Sequence, residues 1–94
     1  MKLISNRALR EFSERHADAQ APLQEWRRVI EKNTFRNWGE LKRAFNTVDK
    51  VGDLCVFNIG GNKYRLIAHV RLERQIVYVE DVLTHKQYDQ GEWK

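Results

Sequence analysis

Cysteine is almost missing from this 94-residue chain, and the single one, Cys55, has no partner for an internal disulfide. Set in the apolar run Leu54 to Ile59, it reads as a small buried hydrophobe in a protein kept in a reducing compartment. Metal chemistry is equally short of material, since three scattered histidines and one cysteine give no closely spaced ligand set. A metal enzyme is set aside, and no cofactor is expected. Nor is any stretch apolar for long enough to act as a signal peptide or to cross a membrane. The expectation is a soluble, unprocessed, cytoplasmic protein with no membrane partner. Gly60-Gly61-Asn62 lacks the Lys-Ser/Thr and the following helix of a Walker-type phosphate loop. Internal repeats, low-complexity segments and long linkers are also absent, which leaves one domain over residues 1–94.

What is present suits a compact fold. A composition of 41% hydrophobic and 32% charged residues supports a modest core without staples. The net charge is +4, and it is unevenly placed: residues 1–50 carry 11 Lys and Arg against 7 Asp and Glu, residues 51–94 carry 6 against 6. A basic excess of this kind favours a polyanionic partner, because each neutralised phosphate releases a counterion.

Periodicity separates the chain into a helical first half and a β second half. Lys2 to Ser5 alternates weakly, as a short strand would. Ala8, Leu9, Phe12 and His16 then fall on one helical face. Pro22, with its fixed φ and missing N–H, suits the first turn of a second helix whose buried stripe is Leu23, Trp26, Val29 and Ile30. Asn37 followed by Glu40 resembles a capping box for a third helix carrying Trp38, Leu41 and Phe45. From Leu54 onward β-branched and aromatic residues dominate, in runs 54–59, 64–70 and 76–83. Gly60-Gly61-Asn62-Lys63 is a tight hairpin connection, and Arg71 to Gln75 forms the next one. The fold class is α+β: N-terminal helices packed on one face of an antiparallel sheet of three to four strands.

A polar cluster lies on and just beyond that sheet: Asn58, Asn62, Lys63, Arg65, His69, then Thr84-His85-Lys86-Gln87-Tyr88-Asp89. Arg65, Ile67 and His69 share a strand face, and antiparallel order brings the end of the last strand beside the start of the one before it. Arg65 and His85 would therefore converge, with Lys86 and Tyr88 close by. Cleaving RNA without a metal needs activation of a 2′-hydroxyl, charge stabilisation at phosphorus and a proton for the leaving oxygen. Arg and Lys supply the charge, His and Tyr the proton transfer.

Bland readings stand beside these. Arg65 either contacts phosphate or pairs with a cross-strand carboxylate, Glu80 or Asp81. Tyr88 is a packing aromatic or a catalytic or base-stacking one. Asn58 and Asn62 suit turn and strand-end structure, and His16 and His69 suit structural or solvent roles. Trp26 and Trp38 are core residues by their stripes, whereas Trp93 either covers a core edge, meets a partner or is loose. The basic residues Arg27, Arg28, Arg36, Lys42 and Arg43 form either an ordinary solvated face or an RNA-docking one.

The runs Val56-Phe57-Asn58-Ile59-Gly60-Gly61-Asn62, Tyr64-Arg65-Leu66 and Thr84-His85-Lys86-Gln87-Tyr88-Asp89, in this order and spacing, resemble the HigB toxins of the RelE superfamily of messenger RNA interferases. Leu41-Lys42-Arg43-Ala44-Phe45 and Lys2-Leu3-Ile4-Ser5 add to the likeness. It is strong from Leu54 to Asp89 and loose between Ala17 and Asn37. The resemblance implies a RelE-like compact toxin fold, neutralisation by a HigA-type helix-turn-helix antitoxin in a hetero-oligomer, and ribosome-dependent cleavage of translated messenger RNA. Cleavage would proceed by attack of a 2′-hydroxyl on its neighbouring phosphate. The resemblance also carries over Arg65, His85, Lys86 and Tyr88 as the catalytic set, with Lys63, Lys42, Arg43 and Asn62 as expected RNA contacts. The chain ends five residues after Asp89, short of the C-terminal extension of many relatives. The alternative is a non-catalytic RNA-binding or antitoxin-partner module of the same fold.

Overall fold

A computed structural model describes residues 1–4, 6–91 and 93. Strand β1 (Lys2–Ile4) leads into helix α1 (Asn6–Arg15), a single 3-10 turn (Ala17–Ala19), α2 (Gln20–Lys32) and α3 (Trp38–Ala44). The sheet is then completed by β2 (Asp49–Val51), β3 (Leu54–Ile59), β4 (Tyr64–Arg71) and β5 (Ile76–Thr84), and a last helix, α4 (His85–Gln90), follows β5 directly. Ser5, the last residue of the expected first strand, lies outside the described residues.

The sheet has five strands in the order β1-β5-β4-β3-β2, one more than the upper expectation, and it is mixed. The three long strands form the antiparallel meander read from the sequence. β1 joins parallel to β5, with Leu3 opposite Val77. The parallel sense is open to it because β1 is separated from β5 by nearly the whole chain and no hairpin joins the two. β2 is a three-residue edge strand whose polar Asp49-Lys50 carries no apolar alternation, which is why periodicity passes over it.

Both local helix signals are realised, the second with a small shift. Pro22 is the third residue of α2, where its missing N–H costs no intrahelical bond. Asn37 caps α3 by accepting from the Glu40 N–H at 2.9 Å, while the Glu40 carboxylate reaches back one residue further than in a capping box, to the Arg36 N–H at 2.7 Å. The amino group of Met1 donates to the carbonyls of Ile30 at 2.8 Å and Asn33 at 2.5 Å, so a positive charge closes the C-terminus of α2.

The larger core lies between the helices and one sheet face: Leu9, Phe12, Leu23, Trp26, Ile30 and Leu41 pack with Phe57, Leu66, Val77 and Val82. Trp26 belongs to it fully, and Trp38 only partly. A second, smaller cluster lies on the opposite face, where Tyr88 and Trp93 cover Val56, Ile67 and Leu83. The sheet is therefore sandwiched along most of its length by the first three helices and at one corner by α4. The rest of its second face is open.

Candidate functional site

The cluster at that corner is built by three local devices. The β3–β4 hairpin turns through Gly60 and Gly61 at φ 63° and 70°, a conformation for which glycine has no steric penalty, and so returns Tyr64 and Arg65 against Ile59 and Asn58. β5 then runs back with Leu83 opposite Arg65 and Thr84 opposite Tyr64. Thr84 ends the strand and starts α4 through a complete capping box: its hydroxyl accepts from the Gln87 N–H at 3.2 Å and the Gln87 side chain accepts from the Thr84 N–H at 3.0 Å. α4 closes at Gly91, left-handed at φ 74°.

Arg65 is 8% exposed, an unusual burial for a guanidinium. Its Nη2 donates to Asn62 Oδ1 at 2.6 Å, and Nη1 donates to the carbonyls of Asn62 at 3.3 Å and Tyr64 at 3.2 Å. The cross-strand carboxylates do not take it; Glu80 faces His69 instead, at 3.1 Å. The Arg65 Cζ lies 5.3 Å from the centroid of the Tyr88 ring, and that ring in turn stacks on Trp93 at 5.0 Å and 14°. Trp93 Nε1 donates to the Tyr88 carbonyl at 2.9 Å. The result is a layered stack, guanidinium on phenol on indole, at the corner of the open face.

His85 sits at the start of α4, its backbone N–H bonded to the Lys63 carbonyl at 3.1 Å. Its Nδ1 lies 3.1 Å from Asp89 Oδ2, one helical turn on, which orients the ring and leaves Nε2 for other partners. The structure thus brings Arg65, Tyr88 and His85 to one corner. Lys86, two positions before Tyr88, is turned about 160° away from it around the helix axis. It is exposed and stands outside the stack.

The expected RNA contacts fall in different places. Asn62 holds Arg65. Lys63 reaches the other way, to Asp18 at 3.0 Å, where Tyr64 also donates its hydroxyl at 2.5 Å. The Tyr64 hydrogen bond and then that of Lys63 hold the Asp18 carboxyl below its usual pKa, while the same bond to Asp18 pushes the Tyr64 phenol up. Lys42 donates to the Val48 carbonyl at 2.7 Å, and with Arg43 it belongs to α3 in the helical layer, apart from the stack. Burial also raises the Cys55 thiol, so that side chain behaves as an inert core group. Among the described residues, no three His, Cys, Asp or Glu side chains gather as metal ligands, and no helix is long and apolar enough to cross a membrane.

Two features escape a sequence reading. Trp93 contributes a wall of the site although nothing near it is patterned. His69 and Glu80 are paired because β5 carries a bulge: Ile67 faces Asp81 while Ala68 faces Val79, leaving Glu80 as the extra residue. Alternation on β4 does place His69 on the Arg65 face, as expected, but the bulge that supplies its partner is invisible in the residue types.

Residues 19–91 match the model of a family described as HigB toxin, RelE-like toxic component of a toxin-antitoxin system. The fold is therefore that of a RelE-like α+β toxin domain. The chain is 36% identical to the mRNA interferase toxin HigB of Escherichia coli K12 over 92 residues, 95% of this chain and 88% of that protein. The mRNA interferase HigB of Shigella flexneri shows the same 36% identity and coverage, and that of Escherichia coli O6:H1 shows 26% over 92 residues. The chain belongs to the HigB toxin family.

Proposed function

We propose that this chain is the toxin of a type II toxin-antitoxin system and acts as an endoribonuclease on messenger RNA during translation, in the cytoplasm. The observation that carries the reading is the Arg65–Tyr88 stack at the corner of an open sheet face, in a chain whose relatives are named mRNA interferases. In the proposed reaction the 2′-oxygen of a ribose forms a bond to the adjacent phosphorus and loses its proton to a base. The bond to the 5′-oxygen breaks, and that oxygen takes up a proton. The products are a 2′,3′-cyclic phosphate and a 5′-hydroxyl. Arg65 stabilises the charge gathering on the phosphoryl oxygens. His85, oriented through Nδ1 by Asp89, transfers a proton at Nε2, and the Tyr88 hydroxyl completes the proton path. Lys86 contacts a flanking phosphate from the outer side of α4. A HigA-type helix-turn-helix antitoxin is the proposed neutralising partner.

Expression in bacteria without an antitoxin should arrest growth, and mapped 5′-hydroxyl ends should lie within translated codons. Cuts equally frequent on free RNA would remove the ribosome from the reading. A non-catalytic module is the second reading, favoured by the burial of Arg65 and its ties to Asn62. An Arg65→Ala, His85→Ala double variant separates the two: the nuclease loses toxicity while still binding antitoxin, whereas the module keeps its effect.

A further inference from the structure

The open face continues well past the Arg65 corner. From Arg65 to Arg71 the outward positions of β4 span about 20 Å at the rise of a strand. Two hollows follow each other along it. One, of about 550 Å³, has Leu54, Ile67 and Trp93 in its walls, with Asp53 and Asp81 at its edge. The next, of about 500 Å³, is lined by His69, Arg71, Glu73, Arg74, Tyr78 and Glu80. His69 and Glu80 line both, so they make one trough that starts at the aromatic stack and ends at the β4–β5 hairpin.

The far end of the trough has the chemistry of a strand-binding platform. Tyr78, 37% exposed, is the large hydrophobic side chain left at the surface among the described residues. Arg71 and Arg74 are exposed beside it. On the helical side Arg7, Arg27, Arg28 and Arg36 are each engaged by a glutamate, whereas among the described residues no ion pair engages Arg10, Arg15 and Arg43 there or Arg71 and Arg74 on the trough. Of the two acids present, Glu80 is bonded to His69, and Glu73 is exposed on the hairpin between Arg71 and Arg74 in sequence. The hairpin is also held rigidly. Gln75 occupies the left-handed region at φ 56°, and its side chain donates to the carbonyls of Phe35 and Leu72, both at 2.7 Å, and accepts from the Phe35 N–H at 3.1 Å.

We propose that this end of the trough is a second nucleotide subsite, in which a base of the same RNA strand stacks on Tyr78 while its neighbouring phosphates lie against Arg71 and Arg74. The proposal rests on the ribonuclease reading and extends it: the strand is held at Tyr78, opposite His69 and about 13 Å along the sheet from Arg65, as well as at the point of cleavage. The occupant is a single strand because only an unpaired base offers its π-face to an aromatic side chain, and guanidinium groups beside that ring match the flanking phosphates.

The test uses a fluorescently labelled, 2′-O-methylated single-stranded RNA of about 12 nucleotides, which cannot be cut, titrated at low salt into the full chain. Tyr78→Ala should weaken binding roughly tenfold and Tyr78→Phe should restore it, as base–aromatic stacking requires. Arg71→Gln with Arg74→Gln should weaken binding and lower the salt slope by up to about two. Melting curves of each variant report whether the fold is kept. Equal binding by wild type and a folded Tyr78→Ala overturns the proposal, as does no binding by wild type. Loss confined to the antitoxin complex also overturns it and makes the patch a protein surface. The parent reading fails separately, if the wild-type chain cuts no message while Tyr78 still governs RNA binding.

Discussion

Arg65 places a charge where burial would normally forbid one, and it does so with three hydrogen bonds to Asn62 and Tyr64 and the Tyr88 ring stacked on it. Lysine keeps the charge but cannot reproduce the planar fork or the stack. Arg65→Lys should therefore retain the fold, checked by melting, and reduce message cleavage about 100-fold or more in a translating extract. Cleavage at the wild-type rate would make Arg65 a support for Tyr88 and nothing more. Asp18 illustrates a different residue-scale effect. Its carboxyl is held low by Tyr64 and Lys63, so its contribution to stability is complete at neutral pH, above the ordinary value of 3.8. That contribution disappears as acidification passes through the lowered native value. Denaturant unfolding at several pH values should show Asp18→Asn less stable than wild type at neutral pH, with the gap closing in strong acid. Tyr64, raised by the same bond, loses its contribution only when the pH climbs above its ordinary 10.0.

α4 is the element on which the site depends, because it alone sets Tyr88 over Arg65 and orients His85. Thr84→Ala removes the hydroxyl of its capping box and should cost about 1 kcal/mol of stability. Cleavage should fall by more than that loss accounts for, since Tyr88 shifts with the helix, and Thr84→Ser should recover both. Chemical denaturation and cleavage rates measured on the same preparations check the pair of outcomes. A cleavage rate that merely tracks stability would free the site from the cap. No helix is expected from the sequence after β5, although Thr84-x-x-Gln87 follows the same capping pattern as Asn37-x-x-Glu40. Periodicity is silent there because the six residues of α4 include one sizeable apolar side chain, Tyr88, and one residue makes no stripe. The meander, by contrast, is legible from Leu54 to Leu83 because each of its strands repeats its pattern several times. β2 and the parallel placement of β1 are not, since three residues carry too little pattern and pairing direction has no residue code.

Across the whole molecule, the basic excess is less available than its count suggests. Arg7, Arg27, Arg28 and Arg36 are paired along their own helices or turns with Glu11, Glu31, Glu25 and Glu40. Such exposed pairs add little to stability and offset the field that would attract phosphate. Replacing Arg27 and Arg28 by Gln should change RNA affinity by less than about threefold, with little change in its salt slope. A loss as large as that of the Arg71, Arg74 double variant would return the RNA interface to the helical side. The α+β class, the meander, the core stripes and the motif order that resembles HigB toxins can all be read from the residues in order, because each is encoded locally or in repeated pattern. Which of the marked residues meet is a matter of the folded arrangement: Arg65 beneath Tyr88, Trp93 behind it, Glu80 turned to His69 and Lys86 turned away. Those outcomes hang on strand register, one bulge and the direction of a short helix, which are fixed by the packing of the whole chain and carry no signature in any single segment.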